Sequence, residues 1–293
     1  MTASITLTSR SVRLELNPSI GGCISAFEWT GGNAPRPILR KCHSPLEKVL
    51  DAACFPLVPY VNRIRGGCFS FRKRTVRLAP NMAGDPSPLH GQGWLNPWKV
   101  EAASASNATL IYRHEAGEWP WSYEARQRFE LDEGGLSARL DCRNASAEPM
   151  PCGLGFHPYF PCGPKTRIDT KVAVAWTVDE HVLPVEKVPA EGRYGLRDRP
   201  VCGQSLDNGF GGWSGEARMS DSGWPFELRL SSPEARFFQL YSPPVGGIFV
   251  AEPVTHANAA LNHPESEWPE LGMRALEPGE EVRLDMRLEL VPR

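Results

Sequence analysis

Apolar and polar positions alternate along much of this chain with the two-residue period of a β-strand. Near the C-terminus Val282, Leu284, Met286, Leu288 and Leu290 alternate with Arg283, Asp285, Arg287 and Glu289. Such alternation turns one set of side chains to a core and the other to water. Val12, Leu14 and Leu16 repeat the pattern, as do Leu136, Ala138, Leu140 and Cys142. Residues 127–131 lead into Asp132-Glu133-Gly134-Gly135, a turn sequence that predicts a hairpin with the strand after it. The 27 glycines and 28 prolines are spread widely enough to interrupt every candidate helix window. Short strands with frequent turns and no repeat of fixed period predict an all-β fold, a large antiparallel β-sandwich. Residues 161–215, rich in Gly, Pro and charge, are expected to carry long loops. No composition shift is sharp enough to divide the chain, so residues 1–293 are expected to form one domain.

Charge and cysteine content narrow the function classes. Thirty-two Lys and Arg against 34 Asp and Glu give a net charge of −2, with both signs scattered. This is no electrostatic footprint for nucleic acid or an anionic membrane. No apolar run approaches the roughly 18 residues of a membrane span, and the N-terminus lacks the apolar core of a secretory leader. The eight cysteines, at 23, 42, 54, 68, 142, 152, 162 and 202, show no C-x-x-C pair and no zinc-like spacing. They are expected to be reduced, mostly buried thiols in a cytoplasmic protein.

Four segments place polar residues among Gly, Pro and aromatics. Phe55 to Gly67 is an apolar, proline-pinned run delivering Asn62 and Arg63 to a glycine turn. The Arg63 fork suits hydroxyls or a carboxylate, and equally suits a structural pairing with a nearby aspartate. Leu89 to Trp98 sets His90 and Gln92 beside Trp94 and Trp98; indole faces suit the C–H faces of a sugar, and they also suit a core. In Gly153 to Pro161, His157 precedes a proline and is flanked by Phe156, Tyr159 and Phe160. A half-buried imidazole there can exchange protons near neutrality, although packing alone would also explain it. In Gly246 to Ala259, an apolar run ends at Glu252 before Pro253. Desolvation at a buried strand end raises a carboxyl pKa toward that of a general base, while a plain strand-end glutamate is the alternative. Asp207, in Leu206 to Phe210, is a weaker candidate of the same kind.

Together, in this order, FPLVPYVNRIRGG followed by CFSF, HGQGWLNPW, GFHPYF, LDNGF, FVAEPVTHANAALNHP and LEPGE resemble the aldose 1-epimerases, or galactose mutarotases, from about Phe55 to Glu280. The resemblance implies a galactose mutarotase-like supersandwich and interconversion of the α and β anomers of a free aldose. It also implies neither metal nor organic cofactor and a small-molecule sugar as the partner. By motif, Glu252 would be the general base at the anomeric hydroxyl and His157 the general acid at the ring oxygen, on opposite sides of the C1–O5 bond. His90 would bind a substrate oxygen, and Arg63 and Asp207 would hold ring hydroxyls. Two alternatives stay open: a hexose-6-phosphate 1-epimerase, and a non-catalytic sugar sensor on the same scaffold. Arg63, Arg65, Arg72 and Arg74 are close in sequence, but such clusters are ordinarily solvated strand faces and are not taken as a phosphate site. A glycoside hydrolase would need paired carboxylates, and only Glu252 has a convincing setting.

Overall fold

The computed structural model describes residues 4–42 and 45–293. The first three residues of the N-terminus considered above for a leader lie outside it. Among the described residues the strands form two large antiparallel sheets and three smaller ones. The first large sheet runs Arg199–Pro200, Arg167–Thr170, Glu216–Ser220, Phe226–Ser231, Glu281–Pro292, Gly135–Asn144, Tyr123–Asp132, Asn107–His114 and Lys99–Ala103. The second runs Pro184–Pro189, Val174–Val178, Leu206–Gly211, Phe237–Ser242, Ile248–Val254, Gly155–Phe156 and Pro56–Leu57, with Tyr159–Pro161 also on Ile248–Val254. Among the described residues the α-helical content is one turn, Trp268–Leu271, and no helix there is long and apolar enough to cross a membrane.

The alternation in the sequence becomes the sandwich. Val282, Leu284, Met286 and Leu288 are buried, and the arginines between them face outward. The hairpin forms with Asp132 opposite Gly135, its carboxylate accepting the backbone N–H groups of Gly134 and Gly135 at 2.8 and 3.0 Å. One apolar cluster draws Leu140, Leu284 and Leu288 from the first sheet and Phe210, Phe238, Leu240, Phe249 and Ala251 from the second, so the two sheets share a core.

The second sheet is covered on its other face too. A second cluster joins Phe237, Val250 and Val254 to Phe55, Leu57, Val61, Leu89 and Trp94, contributed by the chain between the small N-terminal sheet and the Lys99 strand. A strand buried on both faces reads as a continuous apolar run, as Ile248–Val254 does apart from Glu252. Parity then decides direction: Phe249 and Ala251 enter the inter-sheet core, while Val250, Glu252 and Val254 face the second layer.

Two expectations are corrected. Residues 161–215 do not carry long loops, because Arg167–Thr170, Val174–Val178, Pro184–Pro189, Arg199–Pro200 and Leu206–Gly211 divide the stretch into short connections and join one end of both sheets. Their short length and interspersed Gly and Pro hid the period. Cys162 and Cys202 are not free thiols but a disulfide joining residues 40 apart; long-range pairing leaves no spacing signal. The other six cysteines are free.

Candidate active site

The five residues singled out above, Arg63, His90, His157, Asp207 and Glu252, line one cavity of about 160 Å³ between the second sheet and its outer layer. Three sheet strands supply its floor. Asp207 faces Tyr241 across one strand pair, and Gln239, two residues back on the Tyr241 strand, faces Glu252 across the next. Period-two geometry therefore puts Asp207, Gln239, Tyr241 and Glu252 on a single face.

His90 and Arg63 arrive from loops zipped to each other. Asn62 N–H donates to His90 Nδ1 at 3.1 Å, and His90 N–H donates to the Asn62 carbonyl at 3.0 Å. Nδ1 is thereby an acceptor, so the ring proton sits on Nε2. The loops approach so closely that a Cβ on Gly91, at φ +71°, would lie 2.1 Å from the Val58 carbonyl oxygen. Arg63 donates through Nε to Asp85 at 2.8 Å, and the other Asp85 oxygen accepts Ser87 N–H at 2.9 Å. Both partners are largely buried. The structural pairing and the pocket position are thus both true of Arg63.

His157 lies under an aromatic stack. Phe55 stacks on the imidazole with centroids 4.5 Å apart, and Trp94 stacks on Phe55 at 5.4 Å. His157 Nε2 stands 3.5 Å from Glu252 Oε1. The second atoms of both groups, His157 Nδ1 and Glu252 Oε2, are buried with no hydrogen-bond partner within the protein. The two residues touch instead of standing apart on either side of a bond. Buried polar atoms are otherwise paired almost everywhere in folded proteins, because each orphan costs about 1–3 kcal/mol. His157 and Glu252 both line the cavity, so two of its wall residues keep unused hydrogen-bonding capacity.

Burial is the main electrostatic influence. It pushes His157 down to about 3, with the Arg40 charge adding to the fall, and holds His90 well below the ordinary histidine value, helped by His157 and Arg63. It raises Glu252 well above the usual carboxyl range, reinforced by the Asp207 charge and opposed by Arg63. Asp207 is raised by burial too, against Arg63 and the hydrogen bond it accepts from Gln239 Nε2 at 2.8 Å. A second buried carboxyl group therefore joins Glu252, at the position the sequence marked as the weaker candidate.

Other residues settle into structural positions. Trp94 and Trp98 are buried to 1 and 2 % exposure, and their indole N–H groups donate to loop carbonyls. Trp94 lines the cavity from within the core and Trp98 does not. Arg65 pairs with Asp179, Arg72 with Glu265 and Glu277, and Arg74 with Glu148, so only Arg63 of the four reaches the cavity. Asp85 and Gln239 were missed as site residues, and Asn62 was noted beside Arg63 without a role. Gln239 had a signal, a lone amide inside Phe237-Phe238-Gln239-Leu240. Volume alone would have misled: a cleft of about 640 Å³ lined by Glu234, Arg236, Arg274, Glu281 and Arg283 holds none of these groups.

Comparison with known proteins places the chain in a family and confirms its fold. The aldose 1-epimerase family matches residues 4–289, and the chain belongs to that family. The uncharacterized protein YphB of Escherichia coli K12 is 33 % identical over 97 % of this chain and 98 % of its own. A crystal structure of a candidate aldose 1-epimerase from Escherichia coli K12 superposes with a TM-score of 0.88 at 31 % identity, covering 99 % of both chains. A galactose mutarotase-like protein from Clostridium acetobutylicum reaches 0.86 at 18 % identity, over 99 % of this chain and 95 % of its own, a likeness of fold. The resemblance of the motifs and the sandwich it implied are both established.

Proposed function

We propose that this protein is a cofactor-free aldose 1-epimerase acting on a free sugar in the pocket around His157 and Glu252. The observation that carries the reading is the touching acid–base pair with its two unpartnered buried atoms. The anomeric hydroxyl and the ring oxygen hang on the same carbon, so an acid and a base in contact can serve both. Glu252 takes the proton of the anomeric hydroxyl while His157 gives one to the ring oxygen. The C1–O5 bond breaks, the aldehyde turns, and closure on its other face returns both protons. His90, with its Nε2 proton, donates to a substrate oxygen, and Arg63 and Asp207 hold ring hydroxyls.

The electrostatics sets the starting state of this sequence. Ring opening in the assigned roles starts from imidazolium and carboxylate and ends with neutral imidazole and carboxylic acid. Burial favours the neutral pair, so in the free pocket the shared proton rests on Glu252 and must pass to His157 before opening, a cost that Arg63 lowers by favouring the carboxylate. The pair needs one shared proton. Pairing of Arg65, Arg72 and Arg74 with acids elsewhere supports a free sugar over a phosphate ester.

Polarimetry of freshly dissolved α-D-glucose and α-D-galactose tests the reading. Faster approach to anomeric equilibrium is expected. Acceleration only of glucose 6-phosphate would transfer the protein to the phosphate branch. Binding without acceleration of any aldose would make it a sensor.

A further inference from the structure

Arg40 does not line the cavity, yet it bonds two of the segments that do. Its Nε donates to the Ala52 carbonyl at 2.8 Å and its Nη2 donates to the Leu50 carbonyl. Its backbone N–H donates to the Tyr159 carbonyl at 2.7 Å, and Tyr159 N–H donates to the Ala53 carbonyl at 2.9 Å. The guanidinium carbon stands 3.5 Å from the centre of the Tyr159 ring, well within cation–π range. Leu50, in the short turn Val49–Asp51, and Tyr159 both line the cavity. The Tyr159 ring in turn packs on His157, with centroids 4.7 Å apart. We propose that Arg40 is a positioning residue of the site: it holds the Leu50 turn and the Tyr159 ring together as two walls of the cavity, and it sets a positive charge behind His157. This inference rests on the proposed anomeric chemistry and deepens it.

The turn needs such an anchor. None of its three residues is buried, so apolar packing alone holds it weakly against the site. The Arg40 fork meets the Leu50 and Ala52 carbonyls at once, a geometry that the point-like ammonium of a lysine does not reproduce. Among the described residues the guanidinium is met by carbonyls and an aromatic face and by no carboxylate, so its charge stays uncancelled. The groups facing His157 are Glu252, His90 with ring centroids 5.5 Å away, Tyr159 and the buried Cys54 thiol, and burial keeps His90 neutral. Burial is the main reason His157 resists protonation, and the Arg40 charge adds to it. Arg63 acts instead on His90 and Glu252. The two arginines thus divide the pair: Arg63 favours the carboxylate, and Arg40 keeps a second proton off the imidazole, so that the one-proton state persists into acid.

The test is polarimetry of α-D-glucose and α-D-galactose against pH, with melting curves, on the parent protein, Arg40→Met and Arg40→Lys. Arg40→Met keeps a stem on the Tyr159 ring and removes both fork and charge. It should raise KM about fivefold or more, because two cavity walls are released. It should also move the acid limb of kcat/KM to higher pH by about half a unit or more, because protonation of His157 no longer meets a nearby cation. Arg40→Lys keeps the charge without the fork, so KM should stay raised while the limb returns to its parental place. A residue that only supports the fold would lower the melting temperature and leave the limb where it is. A parental KM or a parental limb in folded Arg40→Met overturns the proposal, as does a limb that moves equally in both variants. If Arg40→Met folds poorly, Arg40→Lys decides: a raised KM supports the latch and a parental KM overturns it. Inactivity of the parent on both sugars overturns the epimerase reading instead. NMR titration of the His157 ring in parent and variants then still decides the charge, since it needs no turnover: a parental titration in Arg40→Met overturns its placement.

Discussion

His157 and His256 are both buried histidines, and burial lowers both, to about 3 and about 4. Their surroundings differ in one respect. His256 uses both ring nitrogens: Nε2 accepts Val61 N–H at 3.0 Å and Nδ1 donates to the Ala257 carbonyl at 2.8 Å. It is a clamp between the Val61 loop and the chain after Glu252. His157 has an orphaned Nδ1, and its Nε2 faces a carboxyl group that is itself half satisfied. Burial and a shifted pKa therefore do not separate a working histidine from a structural one. What distinguishes them is the hydrogen-bond account: both nitrogens of His256 are engaged within the protein, whereas His157 keeps one without a partner, as the proposed proton transfer requires.

The contrast is open to attack in order of expected effect. Glu252→Gln should cost about 10⁴-fold in kcat, the upper end for a lost proton-transfer group, with sugar binding by calorimetry nearly intact. Full activity in this variant would reject the assigned base. His157→Asn should slow turnover by roughly two to four orders of magnitude, measured by NMR exchange between anomers. The pH profile of kcat/KM should be a bell. Acid adds a second proton to the pair as His157 titrates near 3, leaving no base, and alkali removes the shared proton from the raised Glu252, leaving no acid. A rate that rises steadily with pH would contradict this.

His256 should respond in stability. Its folded pKa lies below the unfolded value near 6.5, so the unfolded chain binds more protons between about pH 6.5 and 4. Stability is then present above that window and falls by about 3 kcal/mol as pH drops through it. His256→Gln should flatten that slope in melting curves and lower stability at neutral pH by about 2 kcal/mol, without the multi-order kcat loss of His157→Asn. The smallest effect is expected at Asp85→Asn. Loss of the charge that orients Arg63 should raise KM about tenfold, with kcat within about threefold. A kcat loss as large as that of His157→Asn would place Arg63 in the chemistry itself.

Most of this site was legible in sequence because it is built from short motifs with local constraints. His157 before its proline, His90 before Gly91 and Glu252 at the end of an apolar run each announced an unusual setting. Asp207 was weaker, since nothing near it reveals that Gln239, on another strand, holds it. Asp85, Asn62 and Gln239 matter through partners 22 to 177 residues away, and no local pattern records such pairs.

By itself the sequence determined the strand period, the scarcity of helix, the hairpin at Asp132 and the motifs that place the chain in its family. These follow from side-chain parity, Gly and Pro geometry and local turn chemistry, which act over a few residues. Only the tertiary structure decided that His157 touches Glu252, that His256 is a clamp and that Cys162 bonds Cys202. Each depends on which distant strands become neighbours, and that is set by closing the two sheets around shared cores.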